Sequence, residues 1–289
     1  MAQLSAKTEL APVRRVPEFL VIGAMRAGTT TLHNYLANLP SLVLPKMKET
    51  DFFIASKNWP LGIDWYESLF AADGAPIPGE ISPNYTKRDV FPEVPGNVAQ
   101  ANPDVRLIYV VRDPVLRALS QYKHTWGVAG LPGPSELEGT WEERHILATS
   151  RYAWQMEAWL EHFPREQILV LDFKTLTSQP KIALRKIADH IGFPMPEGFE
   201  DFQHHNSAQQ VARMPKWWHS LRDSSVGVRA RAIASPKLVG AMKSIVQNNK
   251  APEPPKIPAD MKRRFAEALR EDAIEFRKQT GLLLDHWLV

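Results

Sequence analysis

The sequence predicts a single-domain α/β fold with a central parallel sheet flanked by helices. Apolar runs short enough for buried strands alternate with longer segments of helical periodicity. The first apolar run, residues 19–22, leads into a glycine-bounded loop and a helical segment. The run at 105–111 is the most strand-like of the chain, and the Asp-Pro pair that follows is typical of a helix start. Strands alternating with helices form parallel sheets, whose ligands bind at the carboxyl ends of the strands.

The loop after the first strand has the composition of a phosphate-binding turn. Gly23 and Gly28 bracket it, and three threonines open a segment in which Leu32 and Leu36 have helical spacing. Glycine permits a positive φ or a close backbone approach, and the N–H groups and dipole of a helix start favour an anion. For this loop taken alone, the alternative is an ordinary strand–helix turn that binds nothing.

The loop differs from that of a nucleoside triphosphatase. The G-x-x-x-x-G-K-[ST] motif places lysine directly after its second glycine. Thr29 occupies that position here, and Arg26 is the only cation between residues 23 and 30. A cation in mid-loop can reach a phosphate-linked leaving oxygen, whereas the lysine expected for a γ-phosphate is missing.

Further strands and helices are predicted in chain order. Strands are predicted at 41–45, at 79–85 as a strand end with a turn, and at 167–173; helices are predicted at 63–70, from 114, at 142–163, at 180–191 and at 259–280. Gly192 and Gly281 follow the last two helices, as C-terminal caps do. The segment 202–258 is basic and rich in proline and receives no assignment.

A second anion site is predicted directly after the strand at 105–111. Arg112 should emerge at the carboxyl edge of the sheet, with Arg117 and Ser120 on the helix that follows. A guanidinium fork with a hydroxyl is a good receptor for a terminal phosphate. Pairing of Arg112 with Asp113 or another carboxylate is the alternative. Two anion sites at one sheet edge suggest a ligand with phosphates at both ends.

Composition excludes several classes of protein. The chain has 289 residues, a formal net charge of +3 and no cysteine, so disulfides, thiolate catalysis and cysteine-bound metals are excluded. The charge is far below that of a dedicated nucleic-acid binder. No apolar stretch reaches membrane-spanning length and the N-terminus lacks the apolar core of a signal peptide, so we expect a cytoplasmic protein. Residues 1–17 are polar and are predicted to form a flexible arm.

Three segments resemble the sulfotransferase family that uses 3′-phosphoadenylyl sulfate (PAPS). They are the loop 23–30, Lys48-Glu49 with Phe52-Phe53, and Arg112-Asp113-Pro114 with Arg117 and Ser120. They are most similar to the heparan sulfate N- and 3-O-sulfotransferase branch and its bacterial relatives, which 62–66, 167–171 and 280–281 with Trp287 also resemble. The likeness covers residues 19–287 and implies a sulfotransferase domain at 18–289 with a P-loop-like strand–loop–helix that binds the phosphosulfate.

The resemblance implies a role for each matching position. Glu49 falls where this branch has its catalytic base, beside Lys48, and Arg26 stands where the family usually has lysine. Asp51 and Ile81 depart from the branch, which often carries histidine and an acceptor-side lysine there; losing both argues against a glycosaminoglycan acceptor. The implied PAPS-binding residues are Arg26, Ala27, Gly28, Thr29 and Thr30 for the 5′-phosphosulfate, Arg112 and Ser120 for the 3′-phosphate, and Arg213 in a cofactor-capping segment.

The chemistry fits these residue types. Sulfuryl transfer asks mainly for positioning and for neutralisation of charge on the leaving oxygen. Arg26 and the loop N–H groups would stabilise departing adenosine 3′,5′-bisphosphate, and Glu49 would be the general base toward a hydroxyl or amine. A solvated loop charge is the alternative for Glu49. Arginines and backbone dipoles supply the countercharge, so no metal is expected.

Two other functions are weighed against this one. A nucleoside kinase or triphosphatase would need magnesium and ATP, and Thr29 in place of lysine argues against it. A non-enzymatic nucleotide- or RNA-binding protein would use the basic C-terminal third. The expected partner is a small-molecule or carbohydrate acceptor, with no nucleic acid and no membrane; the oligomeric state stays open.

Overall fold

The structure is a computed structural model that describes residues 16–70, 76–195 and 254–289. Within these ranges five parallel strands form one sheet: β1 (Phe19–Gly23), β2 (Leu42–Val43), β3 (Ile77–Ile81), β4 (Arg106–Val111) and β5 (Ile168–Asp172). Their order is β2-β3-β1-β4-β5. All five residues of β1 are buried, as its unbroken apolar run predicts for a central strand. The predicted α/β class with a parallel sheet is confirmed.

The strand order places a crevice beside β1. The chain runs from β1 to β2 and β3 on one side, then crosses to β4 and β5 on the other. Leu20 is in register with Leu107 of β4, so β1 and β4 end at the same edge of the sheet. Ligands of open α/β sheets bind at the carboxyl edge where the order reverses. The loop after β1 and the loop after β4 meet at that point.

Helices flank the sheet, and their ends follow local signals. Asp113 caps the helix after β4, with a carboxylate oxygen that accepts a 2.8 Å bond from the Leu116 amide. Gly192 and Gly281 end two helices with left-handed backbone at φ 90° and 69°. The helices are α1 (Thr29–Leu36), α2 (Ile63–Ser68), α3 (Val94–Ala101), α4 (Pro114–Ala129), α5 (Trp141–Ser150), α6 (Tyr152–Leu160), α7 (Phe173–Ser178), α8 (Pro180–Ile191) and α9 (Ala259–Thr280).

The segment 142–163, whose pattern predicts helix, is helical over most of its length but is interrupted at one residue. The chain breaks at Arg151, whose ψ of 81° is not helical, and so divides into α5 and α6. The new helix start leaves the Ala153 and Trp154 amides free of helical partners, and the Asp272 carboxylate of α9 accepts from both at 3.1 and 3.0 Å. The two helices bury their apolar residues in different places: Ile146 of α5 groups with residues of α4 and α9, whereas Ala153, Met156 and Trp159 of α6 group with residues of the sheet. The cap comes from a helix more than a hundred residues away.

Two groups of buried side chains hold these layers together. The larger one covers the sheet and includes the apolar residues of β1 and β4. The smaller one lies between α4, α5 and the first half of α9, where Phe265 and Leu269 pack against Val115 and Tyr122. Among the described helices, none is both long and apolar enough to span a bilayer. Helix α4 is thereby packed against α5 and α9.

Several predictions fall outside the described residues. Arg213 and most of the basic segment 202–258 lie there, as do residues 1–15 of the predicted arm. The division into an arm at 1–17 and a domain at 18–289 stays a prediction.

Candidate active site at the carboxyl edge of the sheet

The loop between β1 and α1 is a compact turn. The Ala24 amide donates to the Val110 carbonyl of β4 at 2.6 Å, and the Ala27 amide donates back to the Ala24 carbonyl at 3.1 Å. Gly28 begins α1 with φ 95°, and a Cβ there would lie 2.7 Å from the Phe173 ring. Conformation and packing therefore both require glycine at this position. The turn brings the start of α1, with its unpaired N–H groups, to the sheet edge.

Two arginines hold the carbonyls of this loop. Arg117 Nη1 donates to the Met25 carbonyl at 3.1 Å, and Arg112 Nη1 donates to the Arg26 carbonyl at 3.4 Å. Both donors belong to the β4–α4 segment, so the loop is tied to the neighbouring strand and helix. Carbonyls engaged in this way cannot turn toward an anion at the start of α1, which preserves that position for negative charge.

Arg117 is a structural residue. The sequence grouped it with Arg112 and Ser120, but its side chain is fully buried. Its Nε donates to the Ser150 hydroxyl at 2.6 Å and its Nη2 to the Ile146 carbonyl at 2.7 Å, both on α5. Burial lowers its pKa to about 10, which leaves it charged at neutral pH. The guanidinium therefore joins α4, α5 and the loop, and every one of its described bonds is internal to the protein.

Arg26 and Arg112 meet at the mouth of the crevice. Arg26 Nε donates to the Ser120 hydroxyl at 3.2 Å, and the Arg112 guanidinium lies 5.0 Å above the Phe173 ring centre. Partial burial, and then the positive charge of Arg112, lower the pKa of Arg26. In the described part of the chain, neither guanidinium forms an ion pair with a carboxylate. Two adjacent uncompensated cations favour an anion between them.

Lys48 and Glu49 reach the same edge from the loop after β2. Lys48 Nζ lies 2.5 Å from the Glu49 carboxylate and 3.2 Å from the Thr30 hydroxyl in the first turn of α1. The Glu49 side chain is 37% exposed and its backbone has φ 61°. The structure thus brings both residues beside the phosphate-binding turn. The carboxylate remains open to a ligand, as a general base requires.

The Asp51 side chain is bonded to other residues of the protein. Its carboxylate pairs with Lys57 and accepts from the Asn84 amide at 2.9 and 3.0 Å. Its side chain is only 11% exposed, and its own amide donates to the Ser82 hydroxyl at 3.2 Å. The Asp51 carboxylate thus has two protein partners, whereas that of Glu49 has one, the flexible ammonium group of Lys48. The two acids of this loop therefore differ in availability.

A buried glutamate of β3 organises the segment 49–53. Glu80 accepts hydrogen bonds from the hydroxyls of Thr50, Tyr66, Ser82 and Tyr85. Burial raises its pKa, and the hydroxyl donors oppose that shift. The Phe53 amide also donates to the Tyr85 hydroxyl at 3.4 Å. This network, the glutamate hub, fixes the backbone between Glu49 and Asp51. Sequence reasoning missed it, although a glutamate inside a buried strand was a visible signal.

The structure therefore places the predicted residues as follows. Of the described candidates, Ala27 and Thr29 are buried and contribute backbone to the turn, whereas Thr30 and Ser120 present hydroxyls at the edge. Ile81 is buried in β3. The described candidate residues that come together are Arg26, Ala27, Gly28, Thr29, Thr30, Lys48, Glu49, Arg112 and Ser120.

Comparison with known proteins adds a family match. The family model described as "Sulfotransferase domain" matches residues 16–232. The chain is 30% identical over 205 residues to bifunctional heparan sulfate N-deacetylase/N-sulfotransferase 3 of Homo sapiens, covering 62% of this chain and 22% of the relative. It is 31% identical over 188 residues to heparan sulfate glucosamine 3-O-sulfotransferase 3B1 of Mus musculus, covering 62% and 47%. The chain thus spans less than half the length of these two relatives.

Two further similarities extend along nearly the whole chain. Heparan sulfate glucosamine 3-O-sulfotransferase 6 of Homo sapiens is 27% identical over 280 residues, covering 93% of this chain and 73% of the relative. A crystal structure of a sulfotransferase from Alicyclobacillus acidocaldarius superposes with a TM-score of 0.62 at 19% identity, covering 94% of this chain and 98% of the other. The superposition shows a shared fold.

Proposed function

The chain belongs to the sulfotransferase domain family, and from that premise we propose that it transfers a sulfuryl group from PAPS to a hydroxyl or amine. The acceptor class is a carbohydrate or another small molecule, which the names of the heparan sulfate relatives support. One observation carries the proposal. Arg26 and Arg112 lie side by side at the start of α1, and among the described residues no carboxylate neutralises them. That is the receptor that a doubly phosphorylated donor requires.

Different residues of this sheet edge would bind the two ends of the donor. Arg26 and the backbone of residues 27–30 would hold the 5′-phosphosulfate at the start of α1. Arg112 and Ser120 would hold the 3′-phosphate, because a guanidinium and a hydroxyl both donate to phosphate oxygens. PAPS supplies the activated sulfuryl group, and every contact to it would come from this chain's own cations, hydroxyls and amides. Arg213 remains a predicted further contact from the sequence alone.

The Lys48–Glu49 pair would serve the acceptor. Glu49 would take the proton of the acceptor hydroxyl or amine, while Lys48, 3.2 Å from Thr30, would reach the transferring group. The acceptor oxygen or nitrogen forms the new bond to sulfur. The sulfur–oxygen bond to the phosphate breaks, and its electron pair stays on the leaving phosphate, where Arg26 would stabilise it. The acceptor proton ends on Glu49, so charge and atoms balance.

The expectations about the reaction type, the location and the metal requirement are also proposals. The chain lacks the lysine after Gly28 that a kinase or triphosphatase would need. The family match favours sulfuryl transfer over this alternative and over RNA binding. We keep a cytoplasmic location and independence from metal ions as proposals. The residues of the described edge supply cationic and hydrogen-bonding countercharge in any case.

A ligand panel tests the proposal against both alternatives. Thermal unfolding is measured with adenosine 3′,5′-bisphosphate, with ATP and magnesium, and with single-stranded RNA. A ligand that binds only the folded state at 100 times its Kd stabilises it by about 2.7 kcal/mol. We expect a marked rise in Tm with the bisphosphate, unchanged by magnesium, and little effect of the others. A larger rise with magnesium-ATP or RNA would overturn the proposal.

A further inference from the structure

A cavity lies directly beside the proposed donor site and takes no part in it. Its volume is about 310 Å³. It is bounded by Met25 of the loop after β1, by Lys87 beyond β3, by α4 through Gln121 and Thr125, and by the start of α5 through Trp141. The volume is at the lower end for small-molecule sites, which suits a single ring.

The cavity adjoins the reacting groups. Met25 precedes Arg26 in the chain, and the lining residue His124 lies four residues after Ser120, on the same face of α4. The pKa of His124 is lowered, first by burial and next by the charge of Arg26, while Glu49 acts in the opposite direction. Both charges are thus within electrostatic range of His124. Because Met25 adjoins Arg26 in the chain and Arg26 is bonded to Ser120, one helical turn before His124, the cavity lies beside the proposed donor site.

One wall of the cavity is a flat aromatic surface. The indole of Trp141 and the imidazole of His145 are stacked, with ring centres 5.0 Å apart and an angle of 2° between their planes. His145 is held by Asp89, at 2.6 Å from its Nδ1 atom. Trp141 is 57% exposed, an unusual state for so large an apolar side chain. Rigid aromatic faces of this kind bind planar rings or the apolar faces of sugars.

The charges of the lining nearly cancel. Apart from its histidines, the described lining carries Lys87 and Glu142 as its ionisable residues. Burial lowers the pKa of Lys87 to about 8, and repulsion from Lys57 adds to that shift. An anionic polysaccharide needs several cations that remain fully charged. This lining offers one, opposed by one carboxylate.

Gln121 provides an unused hydrogen-bonding group. Its side chain is 3% exposed, and its Oε1 atom has no partner among the described residues. A buried carbonyl oxygen without a donor costs free energy, which a bound hydroxyl would recover. The group therefore suits a ligand that donates a second hydrogen bond.

We propose that this cavity is the acceptor site and that the acceptor is a compact, uncharged single-ring alcohol. The ring would lie against Trp141, a hydroxyl would face Glu49, and Gln121 would accept from a second polar group. The inference rests on the proposed sulfuryl transfer and names its substrate class. An anionic polysaccharide is the competing acceptor that the heparan sulfate relatives suggest.

A transfer assay with sulfur-labelled PAPS tests the inference. Acceptors are a substituted phenol, a neutral methyl glycoside and de-N-sulfated heparin, and adenosine 3′,5′-bisphosphate binding is measured in parallel by thermal shift. Thr125→Trp fills the cavity, and Ile274→Trp places the same indole at an exposed position of α9, where Ile274 is 45% exposed. Gln121→Leu keeps the size of the side chain and removes its oxygen, and serves where Thr125→Trp fails to fold.

We expect at least one neutral ring alcohol to be sulfated in preference to the polysaccharide. Thr125→Trp should lower kcat/KM for it by about 100-fold, and Gln121→Leu should raise its KM about tenfold, with bisphosphate binding unchanged. Ile274→Trp should act like the wild type. Three outcomes would overturn the inference: preference for the polysaccharide, transfer to no ring alcohol, or a transfer rate that neither cavity variant changes. If adenosine 3′,5′-bisphosphate still binds in such a case, the proposed function is upheld. Absence of bisphosphate binding would overturn both.

Discussion

The guanidinium of Arg26 donates a 3.2 Å hydrogen bond to the hydroxyl of Ser120, which joins the loop after β1 to helix α4. The two predicted anion sites therefore adjoin along one edge of the sheet. A serine hydroxyl has one donor and two acceptor positions, so Ser120 can accept from Arg26 and donate to a phosphate at the same time. A ligand with two phosphates can engage this edge without breaking the internal bond.

Replacement of Arg26 tests its role at the leaving group. Negative charge on the leaving oxygen grows during transfer, so the Arg26 contribution should be larger in the transition state than in the bound product. We expect Arg26→Ala to lower kcat by about 100-fold or more and bisphosphate affinity by less than about tenfold. Arg26→Lys, which keeps the charge, should recover part of kcat. Equal losses in kcat and in affinity for Arg26→Ala would contradict the assignment.

Replacement of Arg112 should have the opposite pattern, with a larger effect on bisphosphate affinity than on kcat. A charge-assisted hydrogen bond contributes about 1.5–3 kcal/mol, so Arg112→Ala should weaken bisphosphate binding about 10- to 100-fold and leave AMP binding nearly unchanged. Isothermal titration with both nucleotides measures the difference. Arg106→Ala is the matched control, since Arg106 is exposed at the other end of β4. A parallel loss of AMP and bisphosphate affinity would show that Arg112 does not read the 3′-phosphate.

The two acids of the loop after β2 should differ in their effect on turnover. Glu49 is open to a ligand, while Asp51 is held by Lys57 and Asn84. Glu49→Gln should lower turnover about 10²- to 10⁴-fold, with bisphosphate affinity close to wild type. Asp51→Asn should mainly lower the free energy of unfolding. Near-normal turnover in Glu49→Gln, together with loss of turnover in Asp51→Asn, would assign the base to Asp51 instead.

The glutamate hub should support both stability and turnover. In Glu80→Gln an amide group replaces one carboxylate oxygen, so some of the four hydroxyls lose their acceptor. We expect the free energy of unfolding to fall by about 1–3 kcal/mol and turnover to fall with it, because the Glu49 backbone loses its support. Bisphosphate affinity should change little. Glu166→Gln, at an exposed position, is the control. If Glu80→Gln had the same stability and turnover as this control, the positioning role of Glu80 would be contradicted.

Local sequence signals predicted much of the fold. The apolar run of β1, the Asp113 cap and the glycines that end α8 and α9 each act within a few residues. The loop 23–30 was predictable for the same reason, since glycine spacing and a helix start define it. The positions of Arg26 and Arg112 at one edge follow from the parallel sheet, whereas the role of Glu49 was implied by the family resemblance.

The missed features depend on partners that are distant in sequence. Asp272 of α9 caps the start of α6, and no sequence signal near Arg151 predicts this cap. Arg117 was grouped with an anion site because its burial depends on how α5 packs against α4. The glutamate hub similarly needs hydroxyls from three segments that only the folded chain brings together.

The affinity of the wild-type protein for adenosine 3′,5′-bisphosphate relative to AMP tests the account most directly. Isothermal titration without magnesium, repeated with magnesium, measures it on the intact chain. Because the 3′-phosphate would add charge-assisted hydrogen bonds from Arg112 and Ser120, we predict at least about tenfold tighter binding of the bisphosphate, with no effect of magnesium. Equal affinities for the two nucleotides, or binding that needs magnesium, would contradict the assignment of this edge to PAPS.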